Sequence, residues 1–259
     1  MSTVSVIMTS YNKPAYVGKA IEGILAQTHS DFELFLMDDN SDLPTAHVIS
    51  SYLQDPRIRY IRSDIATLEE RAAKVRYAAL INQALPLATG DYITYATDDN
   101  VYRPNRLARM SEYLDQHPEA NIVYSASITR HVKDDGTITK SVHRPAGRIN
   151  WLASCAVDHC SIMHRRSVLS VLHERWGTYW DENPEFYRIG DARFFWRLNH
   201  FWPFHPIDEV LDDNYMTEHS FHNQLLANQQ SRFVQLLPEQ RTCKELREHL
   251  RALQSGRRI

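Results

Sequence analysis

Short apolar runs alternate with segments of helical periodicity along the first half of the chain. The strand-like runs, rich in β-branched and aromatic side chains, are residues 4–9, 32–37, 58–61 and 91–97. Apolar positions recur every three or four residues in the segments between them, 16–27, 45–53 and 68–84. This strand–helix alternation predicts an α/β fold whose mostly parallel central sheet is flanked by helices.

The rhythm changes after residue 100. A helix is predicted over residues 105–114 and a strand over 121–126, and Asp135-Gly136 suits the turn of a β-hairpin. We therefore divide the chain into a regular first half, residues 1–126, and a mixed second half, residues 127–259. Both belong to one compact domain.

Two further segments of the second half have distinct patterns. Residues 211–231 are polar and weakly periodic, which is typical of a mobile loop or an irregular surface segment. Residues 243–253 are periodic again and predict a terminal helix. Asn12, after the first strand, is expected to cap the helix that follows it.

Composition excludes several classes of protein. The 259 residues are 43% hydrophobic and 24% charged, and the net charge of −3 gives no nucleic-acid-binding footprint. No apolar run approaches the roughly 20 residues of a membrane span. The first residues lack the pattern of a signal peptide, so we expect a cytoplasmic location and no transmembrane segment.

The three cysteines are an odd number without CxxC spacing, so we expect reduced thiols. Cys155, His159, Cys160 and His164 have a spacing that also fits a zinc site. However, residues 155–164 resemble an apolar strand, and strand alternation would point His159 and Cys160 to opposite faces.

Acidic residues follow two strands of the predicted sheet. Asp39 comes after the second strand, and Asp98 and Asp99 come directly after the fourth. Thr9 and Tyr11 end the first strand. Because ligands of open α/β sheets bind beyond the carboxyl ends of the strands, these side chains are expected on one rim. Adjacent carboxylates favour Mg²⁺ or Mn²⁺, which would bridge them to a diphosphate.

These motifs resemble a known family. Residues 4–12 (VSVIMTSYN), 37–41 (MDDNS) and 97–100 (TDDN) are similar to the nucleotide-sugar domain of family 2 glycosyltransferases. Residues 189–196 (IGDARFFW) closely resemble those enzymes of the family that build spore coat polysaccharide in bacilli. The resemblance covers most of the chain. It implies the GT-A fold, an inverting sugar transfer, a nucleotide-binding first half and an acceptor-binding second half.

The resemblance also implies roles for the residues of the nucleotide half. It assigns Asp39 to the base, Thr9 and Tyr11 to the nucleoside, and Arg71 to a further nucleotide contact. A carboxylate can accept the imide N–H of uracil or thymine, which cytosine lacks, so the expected donor is a UDP- or dTDP-sugar. The alternative for Arg71 is a surface ion pair with Glu69 or Glu70.

The remaining roles follow from the same resemblance. Asp98 is expected to contact the ribose and Asp99 to bind the Mg²⁺ or Mn²⁺ ion. In the acceptor half, Asp191 matches the catalytic base that activates an acceptor hydroxyl, although an N-cap would also explain an Asp at the start of a helix. Asp158, beside His159, is a reserve base or an acceptor ligand.

Two histidines of the predicted loop, His219 and His222, could close onto the diphosphate or the metal, or could simply be exposed.

Two other functions share parts of this pattern. A sugar nucleotidyltransferase would need a glycine-rich loop after the first strand, but the first glycine of the chain is Gly18. A non-catalytic module that binds nucleotide sugars or glycans would keep Asp39 and Asp99, so turnover alone separates it from an enzyme.

Overall fold

The structure is a computed structural model that describes residues 2–133, 135–217 and 230–256. Within these ranges nine strands form one mixed sheet. The strands are β1 (Val4–Ser10), β2 (Phe32–Asp38), β3 (Ile58–Arg62), β4 (Tyr92–Thr97), β5 (Asn100–Tyr102), β6 (Ile122–Val132), β7 (Ile138–Arg144), β8 (Ile162–Arg165) and β9 (His205–Thr217). The α-helices are α1 (Val17–Leu25), α2 (Leu43–Ser50), α3 (Leu68–Ala73), α4 (Arg76–Ala84), α5 (Arg106–Gln116), α6 (Val168–Trp176), α7 (Gly190–Asn199), α8 (Arg232–Leu236) and α9 (Cys243–Gly256).

The sheet has the order β3-β2-β1-β4-β8-β6-β9-β5, with β7 added to β6 as a hairpin. Strands β3, β2, β1 and β4 are parallel, whereas β8 is antiparallel to both of its neighbours. Thr9 in β1 pairs with Met37 and Thr97 on either side, so the residues that follow these three strands reach the same rim. The predicted parallel α/β half is confirmed.

Helices cover both faces of the parallel strands. All seven residues of β1 and of β2 are buried, in accord with their nearly continuous apolar sequence. One core packs α4 and α7 against one face, and a second packs α1 and α5 against the other. The sheet continues through β6 across residue 126, so both halves of the chain share it.

The expected helix over residues 68–84 is wrong, because two helices occupy this segment. Lys74 is extended, with φ −146° and ψ 149°, and it separates α3 from α4. The N–H of Val75 donates to the carbonyl oxygen of Glu182 at 2.9 Å instead of to its own helix. This partner lies more than 100 residues away, so periodicity alone did not reveal the break.

The expected cap of α1 by Asn12 is also wrong. Asn12 has a left-handed backbone (φ 52°), and α1 begins only at Val17 without a side-chain cap. Its Oδ1 accepts the N–H of Asp42 at 2.7 Å, and its own N–H donates to the Ser41 hydroxyl at 3.2 Å. Asn12 therefore joins the two loops that follow β1 and β2.

The loop expected over residues 211–231 is a strand in its first part. Residues 211–217 belong to β9, which pairs with β5 and β6. Their polar character is explained by partners within the sheet, since Asp213 forms ion pairs with Arg103 and Arg130. His219 and His222 lie outside the described residues.

The cysteines correct a further expectation. Cys155 and Cys243 form a disulfide, although 88 positions separate them, so the expected set of reduced thiols is wrong. Only folding brings the two residues together. Cys160 is free and buried. The disulfide takes the sulfur of Cys155 away from the zinc ligand set considered above.

Residues 155–164 do not form one strand. Cys155 has φ 58°, residues 159–161 form a 3₁₀ turn, and β8 begins at Ile162. Two other predictions are confirmed: Gly136 (φ 84°) turns the β6–β7 hairpin, and α9 follows Thr242. Among the described residues, no helix is both long and apolar enough to cross a membrane.

Candidate active site

Asp39, just after β2, is held by two arginines. Its carboxylate accepts hydrogen bonds from Arg71 Nη1 at 2.6 Å, Arg76 Nη2 at 2.7 Å and the Ser63 hydroxyl at 2.9 Å. Burial acts to raise the pKa of Asp39, but Arg76 and Arg71 outweigh it and the pKa lies below its usual value. The alternative pairing of Arg71 with Glu69 or Glu70 is therefore wrong.

Tyr11 lies beside the Asp39 cluster. The guanidinium carbon of Arg71 is 4.0 Å from the centre of the Tyr11 ring, a cation–π distance. About 40% of Tyr11 remains exposed, while Thr9, at the end of β1, is nearly buried. An exposed aromatic ring beside a fixed carboxylate and a cation is suited to hold a flat, polar heterocycle.

Asp98 is bound by the loop that follows β1. One oxygen accepts the Tyr11 N–H at 2.7 Å and the Ser10 hydroxyl at 3.1 Å. Burial raises the pKa of Asp98 to about 7; Lys13 opposes this rise and Asp99 adds to it. The Asp98 carboxyl thus connects β4 to the backbone of the loop that carries Tyr11.

Asp99 is the more accessible of the two adjacent carboxyls. Its Oδ1 accepts the Thr97 hydroxyl at 2.7 Å, and its Oδ2 contacts the ammonium of Lys13. The Asp99 side chain is 20% exposed, compared with 8% for Asp98. A carboxylate oxygen is the kind of hard ligand that a divalent ion prefers, and it could bind the ion once the Lys13 ammonium moves off it.

The metal fit depends on more than protein side chains. In the described part of the chain, no three His, Cys, Asp or Glu side chains form a ready-made metal cluster. Mg²⁺ and Mn²⁺ commonly bind one or two carboxylates together with substrate phosphates and water. Asp99 supplies one such ligand, so the residues present fit an ion that binds together with a diphosphate.

Asp191 lies in the first turn of α7. The N-cap of this helix is Ile189, so the alternative reading of Asp191 as an N-cap is wrong. Among the described residues, no ion pair or hydrogen bond involves the Asp191 carboxylate; its backbone N–H donates to the Tyr77 hydroxyl at 3.2 Å. Within the described ranges, no protein donor therefore competes for this carboxylate.

Asp158 and His159 lie close to Asp191. Burial raises the pKa of Asp158, Arg144 opposes this rise, and Asp191 is close enough to add to it. Burial lowers the pKa of His159, whereas the negative charges of Asp191, Asp158 and Asp99 act to raise it. These groups come from the turn after β4, from α7 and from the turn before β8, so the fold assembles them from three separate segments.

Two residues of the site were missed by sequence reasoning. Arg76 follows the break between α3 and α4, and only this break aims it at Asp39 together with Arg71. Lys13 lies in the loop after β1 and contacts Asp99. A lysine so close to the end of a rim strand was a usable signal, whereas the position of Arg76 had none.

Comparison with known proteins identifies the family. The profile of "Glycosyl transferase family 2" matches residues 5–172. The chain belongs to this family. It is 50% identical to Protein CgeD of Bacillus subtilis over 220 residues, which are 85% of this chain and 51% of that protein. It is 34% identical to the putative glycosyltransferase EpsE of Bacillus subtilis over 174 residues, 65% of this chain and 58% of that protein.

Solved structures show the same fold. Staphylococcus aureus TarS 1-349 in complex with UDP-GlcNAc has a TM-score of 0.59 and 15% identity, over 84% of this chain and 59% of that one. The mannosyltransferase PcManGT from Pyrobaculum calidifontis, in complex with GDP-Man and Mn²⁺, has a TM-score of 0.59 and 14% identity, over 87% and 60%. The predicted family and the GT-A fold are confirmed. The chain spans about half the length of CgeD and less than two thirds of EpsE.

Proposed function

We propose that this glycosyltransferase moves a sugar from a UDP- or dTDP-sugar to a hydroxyl of a glycan acceptor, with inversion at the sugar carbon and with Mg²⁺ or Mn²⁺ bound at Asp99. We further propose that it does so in the cytoplasm, in the synthesis of bacterial spore coat polysaccharide. The resemblance of residues 189–196 to enzymes of that process supports this last assignment.

The observation that carries the proposal is the Asp191 carboxylate, to which the described residues supply no hydrogen-bond donor and no ion pair. It interacts electrostatically with Asp158 and His159, and the same histidine also interacts with Asp99. A general base must accept the proton of the acceptor hydroxyl on the face of the sugar opposite the leaving diphosphate. A carboxylate without a cation or a hydrogen-bond donor is suited to that step. Asp158 and His159 then bind the acceptor.

The Asp39 cluster is assigned to the base of the donor. Tyr11 stacks against the uracil or thymine ring, and Asp39 accepts the imide N–H. Protein donors already bind both carboxylate oxygens of Asp39, so one of these hydrogen bonds has to be replaced when the imide N–H of the nucleobase binds. The weakest of them are those of Arg76 Nε, at 3.2 Å to each oxygen. Thr9 and Asp98 complete the nucleoside contacts, Asp98 at the ribose.

The diphosphate end is assigned to Asp99 and Lys13. A bound divalent ion neutralises the charge that develops on the leaving nucleoside diphosphate. Asp99 would hold that ion, and the Lys13 ammonium, which pairs with Asp99 in this structure, would then bind the phosphates. Lysine is a common point-charge ligand of phosphate.

The test is Asp191→Asn, measured by release of nucleoside diphosphate from UDP-glucose, UDP-GlcNAc and dTDP-glucose with Mn²⁺ and a panel of glycan acceptors. Removal of a general base is expected to lower kcat by about 10²- to 10⁴-fold. Binding of UDP, followed by thermal shift, is expected to remain near that of the wild type. Transfer at the wild-type rate would show that Asp191 is not the base.

A nucleotide screen tests the donor and the metal together. UDP or dTDP is expected to raise the melting temperature more than CDP does, and Mn²⁺ is expected to enlarge the shift in the wild type but not in Asp99→Asn. If the nucleotides bind but no donor is turned over with any acceptor, the chain is a binding module and the enzymatic proposal fails.

A further inference from the structure

Helix α7 has no cap of its own. The N-cap residue, Ile189, makes no side-chain hydrogen bond to the first turn. The first N–H groups of a helix lack partners within it, and a buried helix end needs them from elsewhere. Here the partner comes from α4: the Asp191 N–H donates to the hydroxyl oxygen of Tyr77 at 3.2 Å.

Gly190 allows this contact to form. A Cβ atom built on Gly190 would lie 2.5 Å from the Tyr77 hydroxyl oxygen and 3.1 Å from both Tyr77 Cζ and Val75 Cγ1. Any larger residue would push the first turn of α7 away from Tyr77. The glycine is therefore explained by the close approach of α4, and the Gly190-Asp191 pair forms one unit with Tyr77.

The Tyr77 hydroxyl remains protonated at working pH. Burial and the charge of Asp191 raise the pKa of Tyr77 well above its usual value, although the backbone amides of Asp191 and Gly190 act in the opposite direction. The ring also lies 5.6 Å from the ring of His159, centre to centre, in an edge-on arrangement. Tyr77 thus contacts both α7, the helix that carries Asp191, and the ring of His159.

Helix α4 connects the two ends of the site. Arg76, its first residue, binds Asp39 at 2.7 Å, and the next residue, Tyr77, binds the backbone of Asp191. Consecutive residues of a helix point about 100° apart, so one turn of α4 can hold both groups. Sites that react by proximity lose much of their rate when a reacting group is misplaced by about 1 Å.

We propose that Tyr77 is a positioning residue, whose hydroxyl caps the first turn of α7 and so holds Asp191 at the distance that the acceptor hydroxyl requires. This inference rests on the proposed role of Asp191 as the base. It assigns no contact with substrate to Tyr77, and it explains why Gly precedes Asp191.

The experiment compares Tyr77→Phe with a matched control, Tyr124→Phe. Tyr124 is also buried, and its hydroxyl donates to the Arg148 carbonyl at 2.6 Å, away from α7. Tyr77→Phe is expected to lower kcat by roughly 10- to 100-fold while the KM for the donor and the thermal shift with UDP stay near wild-type values. Tyr124→Phe is expected to leave kcat unchanged.

Gly190→Ala approaches the same contact from the other side. Its Cβ collides with the Tyr77 hydroxyl, so it is expected to lower kcat as well. In the double variant Tyr77→Phe/Gly190→Ala the closest clash is absent, and kcat is expected to equal that of Tyr77→Phe alone. Such non-additivity would not arise from two independent losses of stability.

If Tyr77→Phe does not fold, the single Gly190→Ala variant decides: a lowered kcat with an unchanged donor KM supports the inference.

Three results would overturn the inference. They are a wild-type kcat in Tyr77→Phe, a wild-type kcat in Gly190→Ala, and simple multiplication of the two losses in the double variant. Asp191→Asn distinguishes this failure from that of the proposed function. If Asp191→Asn loses transfer activity while Tyr77→Phe keeps it, the positioning role of Tyr77 is rejected and the proposed function stands. If Asp191→Asn keeps transfer activity, the role of Asp191 as the general base is rejected, and with it the inference about Tyr77.

Discussion

Asp39 and Asp191 are both carboxylates of the candidate site, but their surroundings in the two halves of the chain differ. Asp39, in the first half of the chain, is buried and held by Arg71, Arg76 and Ser63. For Asp191, in the second half, the described residues provide no hydrogen bond or ion pair to the carboxylate, and Tyr77 accepts its backbone N–H. A carboxylate surrounded by donors is fixed in its charged form and suited to recognition. A carboxylate without such donors among the described residues suits the role of general base that we propose for Asp191.

The two halves of the chain also differ in the bonds that connect the segments around these carboxylates. Around Asp39 the connections are ion pairs between the loop after β2 and the helices α3 and α4. In the second half of the chain a covalent bond, Cys155–Cys243, joins α9 to the segment that leads to Asp158. Ion pairs depend on pH and on the partner, whereas the disulfide depends on redox conditions, so the two sets of bonds can be perturbed separately.

The largest expected effect on stability concerns the disulfide. In the chain-entropy model, a bond that closes a loop of 88 positions stabilises the fold by roughly 4 to 5 kcal/mol. Reduction, or Cys243→Ser, is expected to lower the free energy of unfolding by that order, measured in urea.

Thiol titration provides the control for the disulfide. The unfolded wild-type chain is expected to show one thiol without reductant and three with it. The free energy of unfolding of Cys243→Ser is expected to be the same with and without reductant. Three thiols in the protein before reduction would restore the expectation of free cysteines.

The second-largest expected effect on stability is that of Asp39→Asn, which contrasts with Asp191→Asn. Asp39→Asn leaves two buried arginines without a counter-charge, and loss of one partner of a buried pair costs roughly 3 to 5 kcal/mol. Asp191→Asn is expected to change the free energy of unfolding by no more than about 0.5 kcal/mol, because no residue that the structure describes forms an ion pair with Asp191. Urea unfolding of both variants measures the difference.

Asp55→Asn is the matched control for Asp39→Asn. Asp55 also pairs with an arginine, Arg57, but both side chains are partly exposed, so the expected loss is at most about 1 kcal/mol. Equal losses in Asp39→Asn and Asp191→Asn would contradict the contrast between the two halves.

The smallest expected effect concerns Ser63. Ser63→Ala removes one donor from Asp39 and is expected to cost about 1.5 kcal/mol at pH 7. Because the folded pKa of Asp39 is lowered, its contribution is complete above the unfolded pKa of about 3.9 and is lost as the pH falls through the folded value. The difference between Ser63→Ala and wild type is therefore expected to shrink below pH 4.

Ser50→Ala serves as the control for Ser63→Ala. The Ser50 hydroxyl donates to the His47 carbonyl oxygen at 2.7 Å, in an exposed part of helix α2. Its effect on the free energy of unfolding is expected to be small and independent of pH. A loss in Ser63→Ala that stays constant down to pH 3 would show that Asp39 is not the group stabilised by this hydroxyl.

The sequence by itself determined the parallel half of the fold and the rim that carries Asp39, Asp98 and Asp99. Apolar runs of residues 4–9, 32–37 and 91–97 are local signals, and the carboxyl ends of parallel strands must meet at one edge. The positions of Asp39, Asp98 and Asp99 at that edge followed directly. The family was also visible, because its motifs are contiguous and lie at those strand ends.

Only the tertiary structure decided which partners these groups have. The break at Lys74 depends on Glu182, the Asp39 cluster depends on that break, and the cap of α7 depends on a tyrosine 114 positions away in sequence. The disulfide likewise joins residues that no local pattern relates. Periodicity and propensity report on neighbours along the chain, whereas these contacts form between segments that meet only when the sheet and its helices have packed.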